Sequence, residues 1–489
     1  MPPTPDRDAF ITLAAGHSMV PVRLEVVADR YTPVALFERL AGDGPAFLFE
    51  SVEGGERWGR WSFVGWDPLF VVETGADGSV ISDVGTDLSG LDPLQALESL
   101  VGAHRTPGDP GLPPLHSGLV GYLGYDAVRY IEHLPDRPQD DRDLPLMSWQ
   151  AVGSLAAFDH LRQRVMLLRN VIVSDADPGT GYDDAIARLG EAVAALEAPG
   201  PIATVSSFDP AEPIDASPTL GREAFMSIVR SLKEHIAAGD AFQVVPSVRF
   251  DVEDVGDPFA VYRALRLSNP SPYMFFLRTA SATIVGSSPE LMVRVRDGKV
   301  SSRPIAGTRP RGGNDAEDAA LEAELRADEK ERAEHVMLVD LARNDVGRVA
   351  RYGSVSVDEL MVVERYSHVM HLVSAVSGDL RDGVTAVDVL RATFPHGTVT
   401  GAPKVAAMQL IDQIEPTARG PYAGAVGYVD FSGNLDTAIA LRTLITRGGA
   451  GWVQAGAGVV ADSDPAAEYE ECRAKAAAVL AAIAAARHV

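Results

Sequence analysis

The chain has 489 residues, one cysteine, and a formal net charge of −25 at pH 7 from 43 Lys and Arg against 68 Asp and Glu. A chain this acidic repels nucleic-acid backbones and anionic membrane surfaces, and a lone cysteine excludes an internal disulfide framework and a thiolate zinc site. The length allows up to three domains or one large two-lobed core.

The opening MPPTPDRDAF has no basic segment leading into an apolar one. No later run reaches the roughly 18 uninterrupted apolar residues a membrane span needs, so a soluble cytoplasmic protein is expected. From Phe47, the runs AFLFES, WSFVG, LFVVET and SVISDV predict a β-rich part. Two Pro-rich, charged stretches, RTPGDPGLPP and LPDRPQDDRDLP, bracket GLVGYLGYDAVRYIEHL, a strand that turns helical near Asp126. Strands AVGSLAAFD and RVMLLRNVIV and a helix from Tyr182 to Leu196 follow. The segment PGPIATVSSFDPAEPIDASP holds too much Pro, Ser and Asp for a packed element, so the main boundary is expected there, between parts at 1–200 and 220–489.

The second part opens with a helix from Arg222 to Ala238, followed by FQVVPSVRFDV, a helix around Val261, YMFFLR, ATIVGSS and LMVRVR-DG-KVSSRPI. The Asp297-Gly298 pair between alternating runs is a strong hairpin signal. Helices are predicted at 316–347, 383–393 and 403–413, strands at 368–377, 424–431, 435–446 and 452–460, and a last helix is Ala-rich. Hairpins outnumber βαβ alternation, which predicts an α+β fold of large antiparallel sheets stacked as a sandwich with helices on the outside.

The stretch DEKERAEHVMLVDLARNDVGR, Asp328 to Arg348, sets a charged block against an apolar run. On a helix, Glu331 and Glu334 leave one face about a turn apart, with His335 beside them. The run MLVDLA argues for burial of Asp340, which would then need a partner. In EYEECRAKAAAVL the spacing recurs: Glu468 and Glu471, with Lys475 a turn further on. Either pair alone is ordinarily solvated helix surface. Two such helices meeting across a pocket would offer the hard oxygen ligands that Mg2+ prefers, with room for an anionic substrate. Between them lie small-residue turns with accessible amides: Gly401 and Ala402 before Pro403, Gln454 to Gly458, and Gly307 and Thr308 beside Arg309 and Arg311. With no P-loop and no Gly-x-Gly-x-x-Gly fingerprint, they favour carboxylates over nucleotide phosphates.

The motifs GDAFQVV, NPSPYMFF, GSSPE, PIAGTRPRG, DEKERAEHVMLVDLARNDVG, RYSHVMH, GTVTGAPK, GAVGY, QAGAG and EYEECRAKA stand in family order. Together they make the chain resemble the chorismate-binding enzymes, most closely their anthranilate synthase component I branch. The resemblance runs almost continuously from about Phe225 to Leu480, and reaches the first part through FESVEGGERWGRWSFVG and GLVGYLGYD. It implies a regulatory or structural first part and a chorismate-binding catalytic second part. The implied lyase reaction adds ammonia at C2 of chorismate with loss of the C4 hydroxyl, then eliminates pyruvate to leave anthranilate for tryptophan biosynthesis. It also implies Mg2+ on Glu331, Glu334, Glu468 and Glu471, holding the ring carboxylate. His371 of the VMH motif would be the acid or base, with Glu331 and Thr398 as further catalytic groups. Substrate contacts would come from Gly307, Thr308, Thr398, Tyr422, Arg442, Gly456, Ala457, Gly458 and Lys475, with Arg442 and Lys475 complementing the enolpyruvyl carboxylate.

Relatives that make 4-amino-4-deoxychorismate carry a lysine where Ala306 stands, and the isochorismate branch carries one where Gln243 stands, so ammonia is the expected nucleophile. Cys472 lies in a charged helix unsuited to glutamine hydrolysis, so a glutamine amidotransferase subunit, anthranilate synthase component II, is the expected partner. L-Tryptophan is the expected feedback inhibitor, bound between the two parts by Glu50 and Ser51, by Asn269, Pro270, Ser271, Pro272, Tyr273 and Met274, and by Val426 and Tyr428. Pro246 and His396 depart from the family pattern, and His396 competes with His371 for the acid-base role. The rivals are 4-amino-4-deoxychorismate, isochorismate and salicylate synthases, and a non-catalytic regulatory subunit that binds tryptophan or chorismate. Binding tryptophan alone would need neither the four carboxylates nor His371.

Overall fold

The alternating apolar runs pair into two eleven-stranded antiparallel sheets. This computed structural model describes residues 2–27, 29–51, 59–75, 77–83, 85–173, 177–198, 214–366 and 369–487. Outside them lie most of the expected boundary segment (199–213), part of FESVEGGERWGRWSFVG (52–58), and Ser367 and His368 of RYSHVMH. Both sheets combine strands from before and after that segment. In one, strand Tyr273–Arg278 pairs with Ala46–Glu50, Met274 opposite Glu50; in the other, Ala425–Val429 pairs with Leu119–Leu123, Tyr428 opposite Val120.

The sheets face each other across an apolar layer: Phe47, Phe275, Leu277 and Ile284 from one, Val120, Tyr122, Val426 and Tyr428 from the other. Helices Pro178–Glu197, Pro258–Ser268 and Pro465–Ala486 cover the outer face of the first sheet. Helices Pro93–Ala103, Glu329–Val349 and Ala386–Thr393 cover that of the second. This is the expected α+β sandwich. Two bulky rings fit between the sheets because each crosses a glycine on the neighbouring strand: a Cβ on Gly65 would lie 2.0 Å from the Phe47 ring, and one on Gly286 2.1 Å from that of Phe275. No helix of the described residues is long and apolar enough to cross a membrane.

Asp297 and Gly298 both have positive φ, 51° and 75°, as the two-residue hairpin requires. The helix expected over 316–347 is two, Asp315–Ala327 and Glu329–Val349. Asp328 divides them, its carboxylate capping the amides of Lys330 (3.0 Å) and Glu331 (3.1 Å). The strand expected over 435–446 is also two, Leu435–Ile439 in one sheet and Thr443–Arg447 in the other, so the chain crosses between sheets at 440–442. Strand Ser356–Arg365 escaped the periodicity reading because its register shifts twice, hiding the alternation.

Asp340 is not buried: it lies on the exposed face of its helix and pairs with Arg343 at 3.2 Å. The inward face carries His335, Leu338, Val339, Ala342, Asp345, Val346 and Val349, a 3.6-residue stripe. The buried carboxylate is therefore Asp345, paired with Lys404 at 2.8 Å. Lys404→Met should strand that charge and cost about 3–5 kcal/mol, while adding Asp345→Leu should restore most of the loss. Urea or thermal unfolding of the four-member cycle measures this, and additive losses would contradict the coupling.

Candidate functional site

The two carboxylate-bearing helices approach the site from opposite layers of the sandwich. Burial raises the pKa of Glu334, and the charges of Glu331 and Glu471 raise it further, against opposing contributions from Gln243 and Lys330. Burial also raises that of Glu468; a bond from Ser463 opposes this, and the charge of Glu471 adds to it. The two pairs therefore feel each other across the gap. Gln243 Nε2 donates to Glu334 Oε1 at 3.2 Å, and Arg309 reaches Glu331 at 3.5 Å. Lys475 Nζ bridges Glu471 Oε1 (2.7 Å) and the Gly456 carbonyl (2.9 Å), tying its helix to the end of strand Ala450–Gly456. Among the described residues no three His, Cys, Asp or Glu side chains stand close enough to share one ion as placed. The donor chemistry does fit a hard divalent cation: four carboxylates from two helices, with a mutual repulsion that a cation would relieve.

His371 lies on strand Val369–Asp379, opposite Thr308. A register shift between Ala306 and Thr308 leaves Gly307 in a bulge at φ 65°. The Gly307 carbonyl lies 3.1 Å from His371 Nδ1, as does Thr308 Oγ1. A carbonyl can only accept, so Nδ1 carries the hydrogen and Nε2 keeps the lone pair. Burial lowers the His371 pKa; the Gly307 bond opposes this and the Arg442 charge reinforces it, so the imidazole is neutral at pH 7. Gly307 also approaches the carboxylates: a Cβ there would stand 3.2 Å from Glu331 Oε2. Arg442 and Ala423, at φ 47° and 63°, are non-glycine residues in the left-handed region, flanking the sheet crossing and Tyr422. Tyr422 is buried, and its hydroxyl would lie 3.0 Å from a Cβ on Gly456.

Thr398 and His396, both singled out in the sequence, are joined by Glu290, to which the motifs gave no role. The Thr398 hydroxyl lies 2.8 Å from His396 Nδ1, and its amide donates to the same nitrogen at 3.4 Å. Glu290 Oε1 lies 3.6 Å from that Nδ1. Burial pushes the Glu290 carboxyl up to about 8, against a Thr398 bond and the Lys475 charge. Burial and the Lys404 charge push His396 down to about 3. At pH 7 this gives a protonated acid beside a neutral imidazole. GSSPE carries Glu290 in sequence, but only burial shows its protonation.

The expected amide cradles are partly used by the fold. Gly401 and Ala402 pair with Val244 and Gln243 as a short ladder, and a Cβ on Gly401 would lie 2.1 Å from the Gln243 carbonyl. Pro403 caps helix Lys404–Ile414 rather than opening it. The Ala457 amide donates to the Pro246 carbonyl at 3.1 Å. A Cβ on Gly458 would lie 2.7 Å from Gln243 Nε2, so the bare backbone leaves room for the Gln243 amide.

A cavity of about 870 Å³ lies between the sheets. Of the residues expected to hold a free amino acid, Glu50, Ser51, Pro272, Tyr273, Met274, Val426 and Tyr428 line it, and Asn269, Pro270 and Ser271 do not. Glu50 is already engaged, accepting from Tyr262 (2.6 Å) and from Arg266 (2.9 and 3.2 Å). Ser271 shares a 2.8 Å bond with Ser287, which also donates to the Asn269 carbonyl, so these residues brace the turn behind the wall.

The sequence pattern described as chorismate binding enzyme matches residues 44–481. The chain is 49% identical to anthranilate synthase component 1 of Mycobacterium tuberculosis, over 99% of this chain and 96% of the relative. The solved anthranilate synthase component I from Streptococcus pneumoniae is 35% identical, with TM-score 0.79, over 93% of this chain and 99% of its own. The menaquinone-specific isochorismate synthase from Escherichia coli, 19% identical with TM-score 0.72 over 98% of each chain, shares the fold.

Proposed function

The chain belongs to the family of chorismate-binding enzymes, and on that premise we propose that it converts chorismate and ammonia to anthranilate and pyruvate in tryptophan biosynthesis, as the large subunit of an anthranilate synthase. The observation that best supports ammonia as nucleophile is that neither position where relatives carry a base holds an amine. Gln243 presents an amide to Glu334, and Ala306 precedes the Gly307 bulge.

The ammonia lone pair forms the C2–N bond as the C4 hydroxyl departs with a proton as water. Removal of the C2 hydrogen then drives cleavage of the C3–O bond, and the released enol takes a proton to become pyruvate. Glu290, protonated at pH 7, donates to the leaving hydroxyl. His371, neutral with Nε2 unprotonated, accepts the C2 proton. His396 stays neutral and orients Thr398. Arg442 and Lys475 complement the enolpyruvyl carboxylate. Glu331, Glu334, Glu468 and Glu471 would hold Mg2+, which when bound supplies positive charge to the ring carboxylate.

Burial pushes the Cys472 thiol up to about 12, so it cannot serve as a glutaminase nucleophile. Ammonia then comes from glutamine through a component II subunit. The cavity between the sheets is read as the L-tryptophan site.

With chorismate, Mg2+ and ammonium salts, the chain alone should form anthranilate, followed by its fluorescence, and it should not use glutamine. Isochorismate, salicylate or 4-amino-4-deoxychorismate as main product would refute the assignment. The acid form of Glu290 is lost as pH rises through about 8, so the rate per free ammonia should fall above that pH. Glu290→Gln should lower kcat by about 10²–10⁴-fold and abolish that fall. L-Tryptophan should raise the apparent KM for chorismate, and Ser51→Phe or Met274→Thr should relieve this with uninhibited turnover retained. Activity unaffected by millimolar tryptophan would remove the effector reading.

A further inference from the structure

Strand Ser356–Arg365 pairs, among the described residues, only with Val369–Asp379, and its end at Glu364 to Tyr366 borders both His371 and the cavity between the sheets. On one side, Glu364 is the register partner of His371, and the Tyr366 ring stands edge-on to the imidazole with centroids 5.6 Å apart. On the other, Glu364 and Tyr366 line the cavity between the sheets, beside Arg303 and Arg311. Both are firmly held. Tyr366 donates its hydroxyl to Glu364 at 2.9 Å, and Glu364 pairs with Arg303. Arg311 donates to the Tyr366 carbonyl at 2.7 Å and is itself fixed on Asp318.

Among the described residues, the hydrogen-bond partners of the His371 ring are the Gly307 carbonyl and the Thr308 hydroxyl, both at Nδ1. A ring tethered at one edge can still tilt about that edge, and the Tyr366 ring is the neighbour such a tilt would meet. Misplacing a proton-transfer group by about 1 Å can cost on the order of 10²-fold in rate, so such a contact bears on turnover.

We propose that Tyr366 and Glu364 are positioning residues for His371, and that they form the wall through which an occupant of the cavity alters where His371 stands. The first half stands on the contacts alone. The second rests on the reading of the cavity as the tryptophan site, and requires tryptophan to favour one placement of this wall over another.

The test uses the full chain with Mg2+, chorismate and ammonium. Tyr366→Leu should lower kcat about tenfold or more while chorismate KM stays within about twofold, and Tyr366→Phe, which keeps the ring, should recover most of it. Glu364→Gln supplies the same comparison should Tyr366→Leu lower the melting temperature. Wild-type kcat in Tyr366→Leu and Glu364→Gln, or equal losses in Tyr366→Leu and Tyr366→Phe, would overturn the positioning role. For the second half, Tyr366→Phe cuts the hydroxyl link to Glu364. It should bind tryptophan by calorimetry within about threefold of wild type, yet lose about fivefold or more of the inhibition. Undiminished inhibition would overturn the wall. A wild-type chain that binds no tryptophan would instead overturn the effector reading and the second half with it, leaving the kcat comparison to decide the first.

Discussion

One buried guanidinium ties the backbone of the site together. Arg419, 2% exposed, donates to Glu415 at 2.8 and 2.6 Å, to the Val399 carbonyl at 2.7 Å and to the Val245 carbonyl at 2.7 Å. The rings of Tyr125 and Tyr422 lie 4.6 and 5.6 Å from its carbon. Val399 follows Thr398, and Val245 lies two residues beyond Gln243, so one planar fork sets two segments that carry site residues. Glu415 extends the tie by accepting from the amide and hydroxyl of Ser247 at 2.8 and 2.7 Å. Lysine has the charge but not five donors in a rigid plane. Such a pair persists in a dry interior only because nearly every lone pair and N–H in it is matched.

Around that tie, the sandwich divides the labour. The inter-sheet layer is largely apolar and close-packed, yet it opens into a cavity bordered by Arg294, Arg296, Arg303 and Arg311. The residues of the candidate site gather where strands end, bulge or change sheet: Gly307 in its bulge, Arg442 at the crossing, Gly456 at a strand end. Regular ladders use up their own amides and carbonyls, so these interruptions are where the backbone has groups to spare.

The net charge of −25 would repel an anionic substrate at long range, which makes the local arrangement matter. Four carboxylates flank the gap between two helices, and Lys475, Arg309 and Arg442 stand close to them or to His371. On the proposed reading, a cation and an anionic substrate would together offset these charges.

Much of this was legible in the chain. The three-residue spacing of Glu331 with Glu334 and of Glu468 with Glu471, the Asp297-Gly298 turn and the helix from Arg222 to Ala238 are local consequences of covalent geometry and 3.6- or 2-residue periods, and the structure keeps them. Choosing Asp345 over Asp340 as the buried carboxylate needed the helix's orientation, because a run apolar nearly all round does not say which face turns inward. The proton on Glu290, the neutrality of His396, the Gln243 contact to Glu334 and the bond from Arg311 to the Tyr366 carbonyl all depend on segments far apart in sequence. Burial and proximity set these properties, and both depend on which distant segments arrive: spacing is decided within a turn or a strand, protonation and contact only by the packed whole.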